Sequence, residues 1–335
     1  MGKRLVACAF LLCLLPGIAS AAPITSLYVV GDSLSDSGNA FILTGGFPPA
    51  PYAQRASNGP VAVERLAADL GVALTPAAAG GTNYAVVGAA TGPVTVSTTP
   101  LVVTDNSAAI PYSQPALFGT GMLEQVKEIL QTGPIADPAG SLFVVWGGAN
   151  DLALNPASAG NAVANLASII SALYQDGARR FLIPNLPDLS LTPSSQGLSP
   201  ADRAALSFLT IGFDNALAAA VNSLRALPGI QITEFNTFAF LNGVIANPLA
   251  YGLTNTTQSC LQGTPLTGAS ICADPSTYLF WDGLHPTTAA HALLGNAMAA
   301  AVPELASAAL LALGLGVAAR RRRRTRTRAT GTNAA

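Results

Sequence analysis

Residues Leu142 to Trp146 read Leu-Phe-Val-Val-Trp, an unbroken apolar run set between Gly140-Ser141 and Gly147-Gly148. Its β-branched and aromatic content suits a strand. Successive side chains of a strand point to opposite faces, so this one must be buried on both. A central strand of a parallel sheet, covered by helices on each side, meets that demand.

The rest of the chain fits the same scheme. Leu27 to Gly31, Asn83 to Val87, Phe181 to Ile183 and Ile230 to Phe235 are further short apolar runs bounded by Gly, Pro or Asn. Between them, helical patterns cover Val61 to Leu70, Leu123 to Gln131, Ala159 to Gln175 and Pro200 to Leu227, and another runs from Thr287 to Ala301. Ser199 followed by Pro200 is a good helix start, with a capping hydroxyl and a proline at the first helical position. Alternating strands and helices predict an α/β fold with a five-stranded parallel sheet between two helical layers. At 335 residues, half of them apolar, the chain is long enough for one domain with an ample core. Two stretches escape the alternation, Thr91 to Phe118 and Asn247 to Tyr278. Long irregular segments are lids, binding loops or plain connections. The second leads into Asp282, which favours a wall of a ligand site.

Both ends read as targeting segments. Lys3 and Arg4 precede an apolar run from Leu5 to Ile18 and then Ala19-Ser20-Ala21, the pattern of a secretory signal peptide over residues 1–21. At the other end Val302-Pro303-Glu304-Leu305 leads to an apolar run from Ala306 to Ala319 and five arginines, Arg320 to Arg324, with Arg326 and Arg328 beyond. An apolar run backed by arginines reads as an inner-membrane helix with its C-terminus in the cytoplasm. The pattern resembles the PEP-CTERM sorting signal of Gram-negative bacteria, with Leu305 where that signal has proline. The resemblance implies an exosortase-type processing enzyme as a partner. The expected organisation is therefore a leader at 1–21, a body at 22–301, a sorting or anchor segment at 302–328 and a tail at 329–335. The chain is expected to be exported to the periplasm, the cell surface or the medium.

Composition narrows the chemistry. Without Lys3, Arg4 and the seven tail arginines, 7 basic side chains remain against 17 acidic ones. So acidic a body is no partner for nucleic acid. Beyond the leader only Cys260 and Cys272 remain, and in an oxidising compartment such a pair is most simply a disulfide. Two cysteines and two histidines are too few and wrongly spaced for a zinc site, and neither a metal nor another cofactor is expected.

The candidate site residues stand where strands end. Gly31-Asp32-Ser33-Leu34 follows the first strand, Gly88 follows the second, and Gly147-Gly148-Ala149-Asn150-Asp151 follows the Leu142 strand. In open α/β sheets ligands bind at those carboxyl ends. Near the end of the body, Trp281-Asp282-Gly283-Leu284-His285-Pro286 offers a histidine with an aspartate three positions before it. Only His285 and His291 exist in the chain, and His291 lies in a helical Ala/Leu run as a packed or surface residue. A hydroxyl nucleophile, a base and an orienting carboxylate are thus available as Ser33, His285 and Asp282. Asp32 reads as support for the turn. Gly88 and Asn150 read either as turn residues or as hydrogen-bond donors to an oxyanion. Trp146 and Trp281 adjoin these blocks as core or pocket residues.

These blocks, in order, resemble those of the SGNH/GDSL hydrolases, a family of esterases and lipases, and Ser57-Asn58-Gly59-Pro60 resembles a segment of its lipase-like branch. The resemblance implies a flavodoxin-like three-layer α/β/α sandwich and ester substrates. It implies Ser33 as nucleophile, His285 as base and Asp282 as its partner, with the Ser33 amide, Gly88 and Asn150 as the oxyanion hole. Gly88 is preferred to Gly80 and Gly81 because the family's donor glycine lies five positions after the asparagine-like residue. Candidate substrates are acyl esters, lipids and acetylated glycans, and apolar runs at Leu101 to Val103 and Phe238 to Leu241 lean towards acyl chains. An acyltransferase or a carbohydrate O-acetylesterase would use the same residues. A non-catalytic surface protein would be marked by a broken set, and here every part is present.

Overall fold

The computed structural model describes residues 23–92, 94–98, 101–105, 115–154, 159–264 and 268–303. The expected signal peptide lies outside them, as does the expected C-terminal segment beyond Pro303. In chain order the elements are β1 (Leu27–Gly31), α1 (Asn39–Thr44), α2 (Ala62–Leu70), β2 (Val94–Thr98), β3 (Leu101–Asp105), α3 (Met122–Gln131), β4 (Leu142–Trp146), α4 (Ala149–Leu154) and α5 (Ala159–Gln175). Then come β5 (Arg180–Pro184), α6 (Pro200–Leu224), β6 (Gln231–Phe235), α7 (Thr237–Ala246), β7 (Asn255–Ser259), β8 (Leu261–Thr264), β9 (Gly268–Ile271), β10 (Tyr278–Phe280) and α8 (Thr288–Ala301).

The central sheet is parallel, in the order β1-β4-β5-β6. Strand β4 is buried along its whole length, as its composition requires. Phe143 and Val145 face one layer, packing with Val126 and Ile129 of α3, Ile169 and Leu173 of α5, and Leu217 and Val221 of α6. Leu142, Val144 and Trp146 face the other, packing with Val63 and Leu66 of α2 and Leu294 and Met298 of α8. The result is an α/β/α sandwich. Strand β6, which carries Gln231 and Glu234 outward, closes one edge with polar side chains. Helix α6 starts as read, with the Ser199 hydroxyl accepting from the Asp202 N–H and Pro200 in the first turn. It is long and apolar enough to cross a membrane, yet here it is an outer layer of the sandwich, packed on α5.

The sheet has four strands where the sequence predicts five. The segment at Asn83 lies parallel to β1, with Tyr84 N–H donating to the Val29 carbonyl at 2.8 Å, but it forms only an isolated bridge. The reason is a side chain: Gly31 N–H, which would carry the ladder on to the Tyr84 carbonyl, donates instead to Gln125 Oε1 at 2.9 Å. An amide side chain thus takes the donor of the next rung, while Asn39 Nδ2 donates to the Asn83 and Ala85 carbonyls at 2.7 and 2.9 Å. The two stretches outside the alternation hold short strands. They form the β2–β3 hairpin, the β8–β9 hairpin and the β7–β10 pair. In the β8–β9 hairpin Cys260 and Cys272 are joined as a disulfide. Val302 is buried against the α2/α8 layer, so packing of the body reaches one residue past the expected boundary.

Candidate active site

Strands β1 and β4 end side by side, Gly31 in register with Trp146. Gly31 has no room for a side chain, since a Cβ there would sit 2.7 Å from the Trp146 carbonyl oxygen. It is also clamped from α3: Gln125 Oε1 accepts from the Gly31 N–H, and Gln125 Nε2 donates to the Gly31 carbonyl, both at 2.9 Å. The chain then turns sharply. The Asp32 carbonyl accepts from the N–H groups of Ser35 and Asp36, and Asp32 Oδ1 accepts from Leu34 N–H. Ser33 is held at the sheet's carboxyl end by this turn.

A second carboxylate fastens the turn from below. Asp36 is fully buried, and its Oδ1 accepts from the N–H groups of Gly38 and Asn39, its Oδ2 from those of Ala40 and Val87. Asn83, also buried, donates to the Ser35 carbonyl and the Ser37 hydroxyl. These ties, with Val86 N–H on the Gly31 carbonyl, bring the segment before Gly88 against the Ser33 turn. Gly88 itself has φ +80°, a conformation that favours glycine. Asn150, in the first turn of α4, donates through Nδ2 to the Ala89 carbonyl at 2.9 Å. Gly148 before it has φ +113°, and a Cβ there would meet the Phe213 ring at 2.4 Å. The alternatives Gly80 and Gly81 lie in the turn around Thr75 and Pro76.

His285 arrives from the far end of the chain. Its Nε2 stands 2.9 Å from Ser33 Oγ, and its Nδ1 stands 2.8 Å from Asp282 Oδ2. Asp282 Oδ1 accepts from the N–H groups of Leu284 and His285, so carboxylate and imidazole are fixed by one short loop. The Ser57–Pro60 segment grips the next residues. Ser57 Oγ donates to the Pro286 carbonyl, Thr288 N–H donates to Asn58 Oδ1, and Thr288 Oγ1 donates to the Pro60 carbonyl. Tyr52, which sequence reasoning missed, donates its hydroxyl to Asp282 Oδ2 at 2.8 Å.

The electrostatics follow from these contacts. Burial alone would raise the Asp282 carboxyl, but the facing His285 and the N–H donors outweigh it and hold Asp282 at about 2. Burial disfavours charge on His285, yet Asp282, with Asp32 behind it, shifts its pKa upward. Asp32 is pushed up to about 6 by burial, although Leu34 N–H and His285 pull the other way. His291, packed under α2 with Nδ1 accepting from Ala62 N–H, is pushed down to about 3 by burial and by His285. It is a packed histidine and has no contact with Ser33. Asp151 accepts from the N–H and hydroxyl of Thr91 and thereby supports the α4 turn.

Ser33, Asn150 and His285 share the wall of one cavity of about 260 Å³. Most of the remaining wall is apolar: Leu34 and Trp146 near Ser33, Leu206 from α6, Phe240 and Leu241 from α7, then Leu279, Phe280 and Leu284. None of the described residues of the expected wall, Asn247 to Tyr278, lines it. That stretch instead holds the disulfide hairpin behind Trp281, and the wall comes from residues 187–195, α6 and α7. Trp146 both packs in the core and lines the cavity; Trp281 is buried against Tyr52. The Leu101 to Val103 run lies in β3.

Residues 27–298 match the family described as GDSL-like lipase/acylhydrolase. An uncharacterised protein from the trpE–trpG intergenic region of Pseudomonas putida is 30% identical over 83% of this chain, which spans 48% of that protein's length. A GDSL esterase/lipase of Arabidopsis thaliana is 28% identical over 82% of this chain and 86% of its own. The thermolabile hemolysin of Vibrio parahaemolyticus is 27% identical over 82% of this chain and 63% of its own.

Proposed function

Because this chain belongs to the GDSL-like lipase/acylhydrolase family, we propose that it cleaves carboxylic esters through Ser33, His285 and Asp282. Membership makes it an ester hydrolase in general terms; the residues and the substrate class are our reading. The observation that carries it is the 2.9 Å contact between Ser33 Oγ and His285 Nε2 at the wall of an apolar cavity. His285 Nε2 takes the Ser33 proton as Oγ attacks the ester carbonyl, and Asp282 holds the ring and stabilises the imidazolium. The negative oxygen is received by the Ser33 N–H, the Gly88 N–H and Asn150 Nδ2. His285 then gives its proton to the departing alcohol. Water repeats the sequence on the acyl-enzyme and releases the acid.

The cavity wall supports an acyl chain over an acetylated sugar, since a sugar's hydroxyls would find few partners among Leu206, Phe240, Leu241 and Leu279. The leader and the C-terminal segment read from the sequence support an exported enzyme that is held at the membrane by its C-terminal helix before any processing. The test is hydrolysis of p-nitrophenyl esters of two to sixteen carbons by the full-length chain and by Ser33→Ala. Activity that rises beyond acetate and vanishes in Ser33→Ala is the expected result. Undiminished activity in Ser33→Ala removes the mechanism, and a preference for acetate removes the acyl-chain reading.

A further inference from the structure

Asp282 Oδ2 is shared. It receives His285 Nδ1 at 2.8 Å and the Tyr52 hydroxyl at 2.8 Å, while Oδ1 is taken by two backbone N–H groups and touches the ring nitrogen at 3.0 Å. Tyr52 comes from a different part of the chain, 230 residues before Asp282. Its ring stands edge-on to Trp281, with centroids 6.2 Å apart and an interplanar angle of 84°. Tyr52 and Trp281 belong to one small cluster with Cys260, Leu261, Cys272 and Tyr278. The disulfide hairpin therefore backs the residue that touches the carboxylate. Nothing in the acyl-transfer steps uses that hydroxyl.

We propose that Tyr52 is a positioning residue: its hydroxyl fixes the Asp282 carboxylate and tempers the hold of that carboxylate on His285. The proposal rests on the reading of His285 as the general base. A hydrogen bond donated to a carboxylate oxygen draws off negative charge that would otherwise favour the imidazolium. The hydroxyl therefore keeps His285 neutral, and able to accept a proton, at lower pH than Asp282 alone would allow. The titratable groups facing His285 are Asp282 and Asp32, with His291 on α8 beyond it and Asp151 behind Asp32. None of these touches Tyr52 except Asp282, so loss of the hydroxyl acts through one contact.

Tyr52→Phe keeps the ring against Trp281 and removes only the donor. With Oδ2 left to the imidazole, the His285 pKa rises by about half to one unit, and the acid limb of kcat/KM moves up by the same amount. The maximal kcat falls about 3- to 10-fold with KM unchanged, because the carboxylate has lost one of its fixings. The chain's two histidines make the shift directly visible. Long-range ¹H–¹⁵N spectra of the full-length Ser33→Ala protein show two imidazoles, and, since burial holds His291 down, the one that titrates at the higher pH is His285. Its titration is compared with and without Tyr52→Phe, with Tyr278→Phe, a ring in the same cluster, as the control. Replacing tyrosine by 3-fluorotyrosine keeps every ring and strengthens the phenol as donor. It moves the His285 titration downward, and it tests the proposal even where Tyr52→Phe folds poorly. Titrations that coincide across the parent, Tyr52→Phe and fluorotyrosyl proteins overturn the proposal and leave Tyr52 as packing. These titrations need no turnover, so their outcome is independent of whether Ser33→Ala abolishes ester hydrolysis.

Discussion

The turn that carries Ser33 depends on a buried carboxylate, and Asp36→Asn measures how much. The four backbone N–H groups on Asp36 lie at 2.7, 2.7, 3.1 and 3.0 Å. Asparagine keeps one acceptor oxygen. Whichever way its amide turns, an NH₂ group faces two N–H donors, and two buried backbone donors lose their acceptor. Each lost hydrogen bond to a charged group costs about 1.5–3 kcal/mol, and each buried unpaired donor about 1–3 kcal/mol. Against this, burial disfavours the Asp36 charge and shifts its pKa up, so replacing the charge returns part of the loss. The net expectation is a loss of about 3 kcal/mol, a large part of the roughly 5–15 kcal/mol that stabilises a domain. Urea unfolding of the full-length chain, extrapolated linearly, reads it directly. Asp137→Asn is the comparison, because Asp137 caps an exposed turn through Gly140 N–H and its loss costs under about 1 kcal/mol. Asp36→Asn also frees Val87 N–H or its neighbours from the turn, so ester hydrolysis falls with stability. A loss no larger than that of Asp137→Asn would refute the reasoning that this carboxylate holds the turn.

Asn150→Ala removes a side-chain donor near Ser33. Hydrolysis of p-nitrophenyl butyrate should lose about 100-fold in kcat with little change in KM, and an unchanged kcat would remove Asn150 from the oxyanion hole. Leu206→Trp fills the cavity from the α6 side. Activity on long acyl chains should fall at least tenfold relative to butyrate, and an unchanged chain-length profile would show that the acyl chain lies elsewhere. His291 is neutral when packed, with a pKa depressed to about 3 from an unfolded value near 6.5. Between those values the unfolded chain binds the extra proton, so the contribution of His291 is complete above pH 6.5 and is lost as pH falls towards 3. His291→Gln should therefore lessen the drop in unfolding free energy between pH 7 and pH 4 by about 2–3 kcal/mol, measured in urea at both pH values.

Much of the sandwich was legible because burial on both faces leaves a compositional mark. Leu142–Trp146 could only be central, and Ser199-Pro200 could only begin a helix. Ser33 and His285 stood out for a different reason: with two histidines in the chain, one of them in a helical Ala/Leu run, few partners remained for the serine. What escaped was whatever depended on a side chain reaching across the fold. Asn83 opens a run that reads as a strand, but a side chain takes the Gly31 N–H that would extend its ladder, and only a bridge remains. Gln125 looks like any polar residue of an amphipathic helix, yet it is buried and clamps Gly31 from 94 residues away. Tyr52 lies in a proline-rich segment with no periodicity to flag it. The cavity wall escaped for the same reason, since adjacency in sequence to Asp282 is not adjacency in space. The stretch from Asn247 to Tyr278 folds away behind Trp281, and α6 and α7 supply the apolar side chains.

Placing a base within 3 Å of a serine 252 residues away takes more than one aspartate. Asp282 fixes the imidazole relative to its own loop, but it cannot fix that loop relative to β1. The Ser57–Pro60 segment does so. It binds Pro286 and Thr288 on one side, and on the other it leads into α2, which packs on α8 and on the face of the sheet that holds Val29. Gly59 has no space for a side chain, since a Cβ would lie 2.9 Å from Thr288. The histidine loop and the helix under β1 are thus pressed together where a larger residue would part them. That contact explains why Ser57-Asn58-Gly59-Pro60 reads as a motif although none of its residues touches Ser33. Its chemistry is backbone geometry, and its effect is to turn a pairing of distant residues into a rigid contact.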